Sequence, residues 1–194
     1  MSEAQQREEG WVIEQVESYL APKEQPFLLG GLPIHGMIDR IESHPKLGLR
    51  IIDFKTKKKP TPVSEAHLRK LGRNENPEDY PAWALINHNG KDHRWVNLQV
   101  PIYLLALRER YPHRELSSGY VALGMAQNDV RLDIWEEMTP ELLESARECA
   151  LGVVAAIRAK TFWPPSPKPT YDDFKDIFFG EPEQAINPTL LLQP

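Results

Sequence analysis

Asp53 and Lys55 occur as Asp-Phe-Lys at the end of Leu49–Lys55, an aliphatic and β-branched run that predicts a strand. Strand side chains alternate faces, so this acid and base emerge on one face and Phe54 on the other. Asp39 lies in a second predicted strand, Ile34–Glu42, and the polar connection between the two contains Pro and Gly, a hairpin signature. A five-residue loop from His44 to Gly48 makes paired residue numbers add to 92, an even sum that sets Asp39 directly across from Asp53. Opposed residues have Cβ atoms about 5 Å apart, where two carboxylates repel unless a cation lies between them. Hard oxygen ligands suit Mg²⁺ or Mn²⁺, which share their remaining positions with water and phosphate oxygens. Lys55 then stands where negative charge grows on a pentacoordinate phosphorus. The chemistry indicated is metal-assisted phosphodiester hydrolysis. Asp-x-Lys alone is a common tripeptide, and an ordinary surface hairpin is the competing reading.

The elements that must position these groups read as an α+β order with a central mixed sheet flanked by helices. Trp11–Glu17 and Gln25–Leu32 predict two further short strands. Lys57–Asn97 is a long polar connection with a short helix around Ser64–Leu71, and its length predicts function or mobility. Leu98, Ile102 and Leu105 give helical spacing for a helix from about Leu98 to Arg110, with Pro101 tolerated in its first turn. Ser118–Leu123 and Val130–Glu136 predict a second hairpin around Gln127, Asn128 and Asp129. Thr139-Pro140-Glu141 reads as N-cap, first-turn proline and first-turn acid of a helix to about Lys160. The expected division is a core over 1–160 and a Pro- and aromatic-rich appendage over 161–194.

Composition sets the outer limits. The chain has 194 residues, 41% apolar and 26% charged, which predicts a single globular core. Its apolar runs are far shorter than the roughly 20 residues of a membrane span, and its acidic N-terminus does not read as a secretory signal, so a cytoplasmic setting is expected. Cys149 is the single cysteine, which excludes an internal disulfide, a multi-cysteine zinc site and a four-cysteine iron–sulfur cluster. Cys149 reads as close helix packing. Net charge is −5, yet Lys46–Arg73 holds nine Lys/Arg against two acids. Lys57, Lys58 and Lys59, followed by Arg69, Lys70 and Arg73 on the short helix, are therefore candidate phosphate contacts, against the alternative of a solvated face. Tyr80, Trp83 and Trp95 could stack on bases, but anchoring the long connection to the core is the favoured role. Arg40 and Glu42 alternate away from Asp39 and read as structural ion-pair partners.

Three blocks in order, Gly36-Met-Ile-Asp39-Arg-Ile-Glu42, then Ile51-Ile-Asp53-Phe-Lys55-Thr56, then Gln99-Val-Pro-Ile-Tyr103, make the sequence similar to the RecB-like branch of the PD-(D/E)xK nuclease superfamily. That branch includes nuclease domains of helicase–nuclease complexes and CRISPR-adaptation nucleases. The resemblance implies a restriction-endonuclease-like fold and a Mg²⁺- or Mn²⁺-dependent DNase, an exonuclease of DNA repair, recombination or phage- and CRISPR-related processing. By the same resemblance Asp39, Asp53 and the Phe54 backbone carbonyl are metal ligands, Lys55 is the catalytic lysine, and Gln99 and Tyr103 line the DNA side. Glu17 matches a first-strand acid that helps hold metal in some members. DNA is the implied partner, with a helicase or recombination protein supplying further affinity. Two departures stand out. No His precedes Trp11, where many relatives have a metal-binding His, and His35 lies four positions from Asp39, about 13 Å along a strand. Either Glu17 suffices or the chain is a fragment or compact variant. Where other members carry iron–sulfur cysteines, this chain has Tyr171, Phe174, Ile177 and Phe178, so packing is expected in place of a cluster. The rival reading is a non-catalytic DNA-binding or scaffolding module of a helicase–nuclease-type complex.

Overall fold

A hairpin carrying both aspartates, extended by a parallel crossover, organises the computed structural model, which describes residues 3–56, 61–124 and 130–161. In chain order the elements are α1 (Glu3–Glu8), β1 (Val12–Tyr19), β2 (Phe27–Leu29), β3 (Leu32–Ile34), β4 (Met37–His44), β5 (Gly48–Thr56), α2 (Val63–His67) and β6 (Leu68–Lys70). There follow β7 (Leu85–His88), β8 (Lys91–Trp95), α3 (Gln99–Arg110), β9 (Leu116–Leu123), β10 (Arg131–Ile134) and α4 (Pro140–Arg158). The central sheet has the order β1-β4-β5-β9-β10, antiparallel except for the β5–β9 pair. This is the α+β class with a mixed central sheet. Residues up to Val154 form one compact unit; of the second unit, residues 155–161 are described and carry the end of α4.

The β4–β5 register keeps the sum of 92, through Arg40↔Ile52, Ile41↔Ile51 and His44↔Gly48. Pairing runs one step further than the five-residue loop allowed, because His44 and Gly48 themselves pair. Even-numbered β4 and β5 residues therefore share one face and odd-numbered ones the other. The odd face packs Ile41, Leu49 and Ile51 against Val100, Leu104 and Leu107 of α3. On α4, Leu142, Leu143, Ala146, Cys149, Ala150 and Val154 form the buried stripe of an amphipathic helix. Its start is capped as expected, with Thr139 Oγ1 accepting from Leu142 N at 3.2 Å.

Three expectations need correction. Gln25–Leu32 is two three-residue strands that turn on Gly30 and Gly31, whose φ values of +55° and +76° suit a tight hairpin turn and disfavour other residues. The helix predicted for Ser64–Leu71 stops at His67, because Leu68, Arg69 and Lys70 pair with Trp95, Arg94 and His93. Arg69 and Lys70 are thus on a strand, and Arg73 lies beyond it. The long connection holds a three-stranded sheet, β6-β8-β7, in place of a loop. Its aromatics anchor it. Trp95 Nε1 donates to Ser145 Oγ on α4 at 3.1 Å, and the Trp83 ring lies where a Cβ on Gly152 would sit. Lys57, Lys58, Lys59, the turn at 127–129 and the appendage over 162–194, with Tyr171, Phe174, Ile177 and Phe178, lie outside the described residues. Among the described residues no helix is long and apolar enough to cross a membrane.

The even face of β4 and β5 carries a buried ionic triad. Glu42 meets Arg40 at 2.9 Å and Arg50 at 2.5 Å, with Trp11 against the Arg50 guanidinium at 3.9 Å and Phe54 against that of Arg40 at 5.1 Å. The structural role expected for Arg40 and Glu42 is what the geometry shows. Breaking a buried pair strands the remaining charge, which typically costs about 3–5 kcal/mol. Glu42→Ala is therefore expected to lower unfolding free energy by that order, read as a reduced midpoint in urea.

Candidate active site

Asp53 is 2% exposed on the odd face of β5, a position where an unpaired carboxylate would be strongly unfavourable. Burial is the main cause holding its carboxyl above the usual range; Lys55 pulls it down and Asp39 pushes it up. The Lys55 ammonium lies 2.7 Å from Asp53 Oδ2 and pairs with that buried oxygen. Asp39 stands beyond the last β4–β5 pair, where its Oδ2 accepts from Phe54 N at 2.8 Å in place of a ladder bond. An extended residue sends its N–H and C=O to the same strand edge, so the Phe54 carbonyl faces the Asp39 side. Two carboxylates, one of them almost fully buried, and a neighbouring carbonyl are a hard oxygen donor set. It fits Mg²⁺ or Mn²⁺ as the remaining ligand.

Lys55 is held from above and below. Its Nζ donates to Gln99 Oε1 at 2.9 Å, Gln99 Nε2 donates to Tyr103 Oη at 3.2 Å, and Tyr103 Oη donates to the Met37 carbonyl at 2.9 Å. Gln99 and Tyr103, four apart on α3, thus bind strand β4 to the lysine as one relay. Below, the Lys55 ammonium lies 5.2 Å from the centre of the Tyr120 ring.

Sequence reading missed the groups behind this relay, Tyr120, His67 and Asn97. Tyr120 aligns with Asp53 in the parallel β5–β9 register and so shares its face. Its hydroxyl lies 2.8 Å from His67 Nε2, and His67 Nδ1 lies 2.9 Å from the Asn97 carbonyl. A carbonyl only accepts, so Nδ1 carries the proton and Tyr120 donates to Nε2. Asn97 Oδ1 in turn accepts from Gln99 N at 2.9 Å. The result is a closed circuit from Lys55 through Gln99, Asn97, His67 and Tyr120 back beneath Lys55. No local pattern announces it, since it needs β9 and the inserted sheet to meet.

The other predicted residues fall outside this cluster. Glu17 lies on β1 between the pairs Val16↔Arg40 and Ser18↔Ile38, has φ +48° and is exposed. Among the described residues no group of three or more His, Cys, Asp or Glu side chains is gathered to hold an ion, so Glu17 does not join the two aspartates. Lys70 and Arg73 are exposed. Arg69 is paired with Glu75, which also accepts from Tyr80 Oη at 2.7 Å and Gly72 N at 2.7 Å. Cys149 is buried, which pushes its thiol up to about 11, in keeping with a packing role.

A family model described as PD-(D/E)XK nuclease superfamily matches residues 1–170. No curated protein and no solved structure matches the chain.

Burial lowers His67 from 6.5 to about 4. As pH falls from 6.5 to 4 the unfolded chain gains a proton here that the folded chain does not, so stability falls through that window. The loss from His67 alone approaches about 3 kcal/mol. Asp53, held high, acts in the opposite sense, so the difference between wild type and His67→Gln isolates the histidine. Thermal unfolding from pH 7 to pH 4.5 is expected to fall more steeply for wild type than for His67→Gln.

Proposed function

Because the chain belongs to the PD-(D/E)XK nuclease superfamily, we propose that it is a deoxyribonuclease that hydrolyses phosphodiester bonds at Asp39, Asp53 and Lys55. The observation that carries this reading is Asp53, a buried carboxylate that shares one face with Asp39 and is paired with a lysine tethered by Gln99. Members of this superfamily use divalent metal ions, and Asp39, Asp53 and the Phe54 carbonyl are the groups that would hold Mg²⁺ or Mn²⁺ here. A bound ion supplies Lewis acidity toward the phosphodiester and eases deprotonation of the attacking water. Lys55 offsets the charge that develops on the phosphorus oxygens. Gln99 fixes that ammonium and Tyr103 fixes Gln99, so both act as positioning residues toward the substrate strand. Glu17 stands apart from these groups, exposed and at φ +48° on β1.

The RecB-like blocks favour an exonuclease of repair, recombination or phage- and CRISPR-related processing, working with a helicase or recombination protein. Lys57, Lys58, Lys59, Lys70 and Arg73 are the proposed phosphate contacts. Arg69 contacts a phosphate only by leaving Glu75.

Cleavage of linear and circular DNA, single- and double-stranded, with Mg²⁺, Mn²⁺ or EDTA tests this reading. Wild type is expected to cleave only with metal, and Asp53→Ala or Lys55→Ala to lower the rate by about a hundred- to a thousandfold. Preference for linear over circular DNA marks an exonuclease. Metal near a hundred times its Kd should also stabilise wild type by about 2.7 kcal/mol, and Asp39→Ala by much less, read as a thermal shift. Metal-insensitive melting with no cleavage would instead favour the non-catalytic DNA-binding module.

A further inference from the structure

We infer that Tyr19 and Met37, with the cleft behind them, form a subsite for an unpaired nucleobase of the DNA strand being cut, an inference that rests on the nuclease reading of Asp39 and Asp53. Tyr19 and Met37 are a directly opposed pair across β1 and β4, so their side chains share a face. By alternation that is also the face of Asp39 and Ile41. Ile41 is 2% exposed in the core, whereas Met37 is 48% and Tyr19 66% exposed. The sheet face thus emerges from its cover beside Asp39, and what it presents there is an aromatic ring and a thioether.

Behind the pair is a cleft of about 370 Å³, lined in part by Leu20 and Ile34, with Lys23 and His35 also on its wall. Its size falls in the range of pockets that take small organic ligands, and its apolar surface suits a flat ring. Lys23 supplies a cation for a neighbouring phosphate. The cleft meets the proposed catalytic relay at Met37, which lines it and whose carbonyl accepts from Tyr103 Oη. A base seated here would therefore belong to a nucleotide next to the scissile phosphate. Stacking on Tyr19 requires an exposed base face, as a frayed end or a single strand offers and an intact duplex does not.

The test uses the full chain in EDTA, so that no cleavage intrudes, and reads binding by fluorescence anisotropy. Two single-stranded 12-mers are compared, one intact and one whose three residues at each end lack bases. Wild type is expected to bind the intact oligomer about tenfold more tightly. Tyr19→Ala should bind both alike, and Tyr19→Trp should restore the discrimination. Equal binding of both oligomers by wild type, no binding of either, or discrimination that survives in Tyr19→Ala overturns the subsite. Cleavage by wild type with metal is scored separately, so the subsite can fail while the nuclease reading stands.

Discussion

A carboxylate withdrawn almost completely from water needs a positive charge within reach, and Asp53 imposes that need on everything around it. Lys55 answers it in part, from the same strand and the same face. A lysine side chain is flexible, so the site also needs something to hold the ammonium, and Gln99 and the Tyr120 ring do this from two sides. Gln99 sits at the first residue of α3, so the start of that helix has to fall here. Asn97 sets it by accepting from the Gln99 amide. Tyr120 reaches the lysine only because β9 lies parallel to β5, and a parallel pair requires the crossover that the insert and α3 provide.

The two faces of the β4–β5 hairpin solve the problem of buried charge differently. On the even face, Glu42 lies between two arginines, and aromatic rings close over their guanidinium groups. Every charge there has a counterpart inside the protein. On the odd face two carboxylates stand beside one ammonium, Asp53 paired with Lys55 and Asp39 accepting from Phe54 N. The first arrangement is complete as a structural element. The second is left short of positive charge, which suits the ion and the phosphate proposed to bind there.

Strand alternation and hairpin register depend on nearest neighbours in sequence, which is why the shared face of Asp39, Asp53 and Lys55 was legible. The same holds for the Thr139 cap and the α3 motif of Gln99 and Tyr103. What escaped was long-range. The residues from 57 to 97 lack alternating hydrophobicity, so β6, β7 and β8 read as a loop, although Trp83 and Trp95 tie them to α4. Nothing in the local pattern sets His67 apart within its short helix. Its role depends on Tyr120, Asn97 and the stacked ring of Trp135, three partners that the chain brings together only in the folded state. Arg69 was legible as a charge but not as a paired one, because Glu75 faces it across a turn that its misassigned helix would not contain.

The parallel β5–β9 pair also orders the site in time. The hairpin of β4 and β5 closes over a few residues, so Asp39, Asp53 and Lys55 meet through a local contact with little loss of chain entropy. Tyr120 must travel from the far side of the insert and α3, a contact of high sequence separation and slow formation. A chain emerging from the ribosome thus gathers its acids and its lysine well before it has the ring and the helix start that hold the lysine still. On the proposed reading, a chain that stops short of β9 would carry the candidate catalytic side chains without the frame that holds the lysine still.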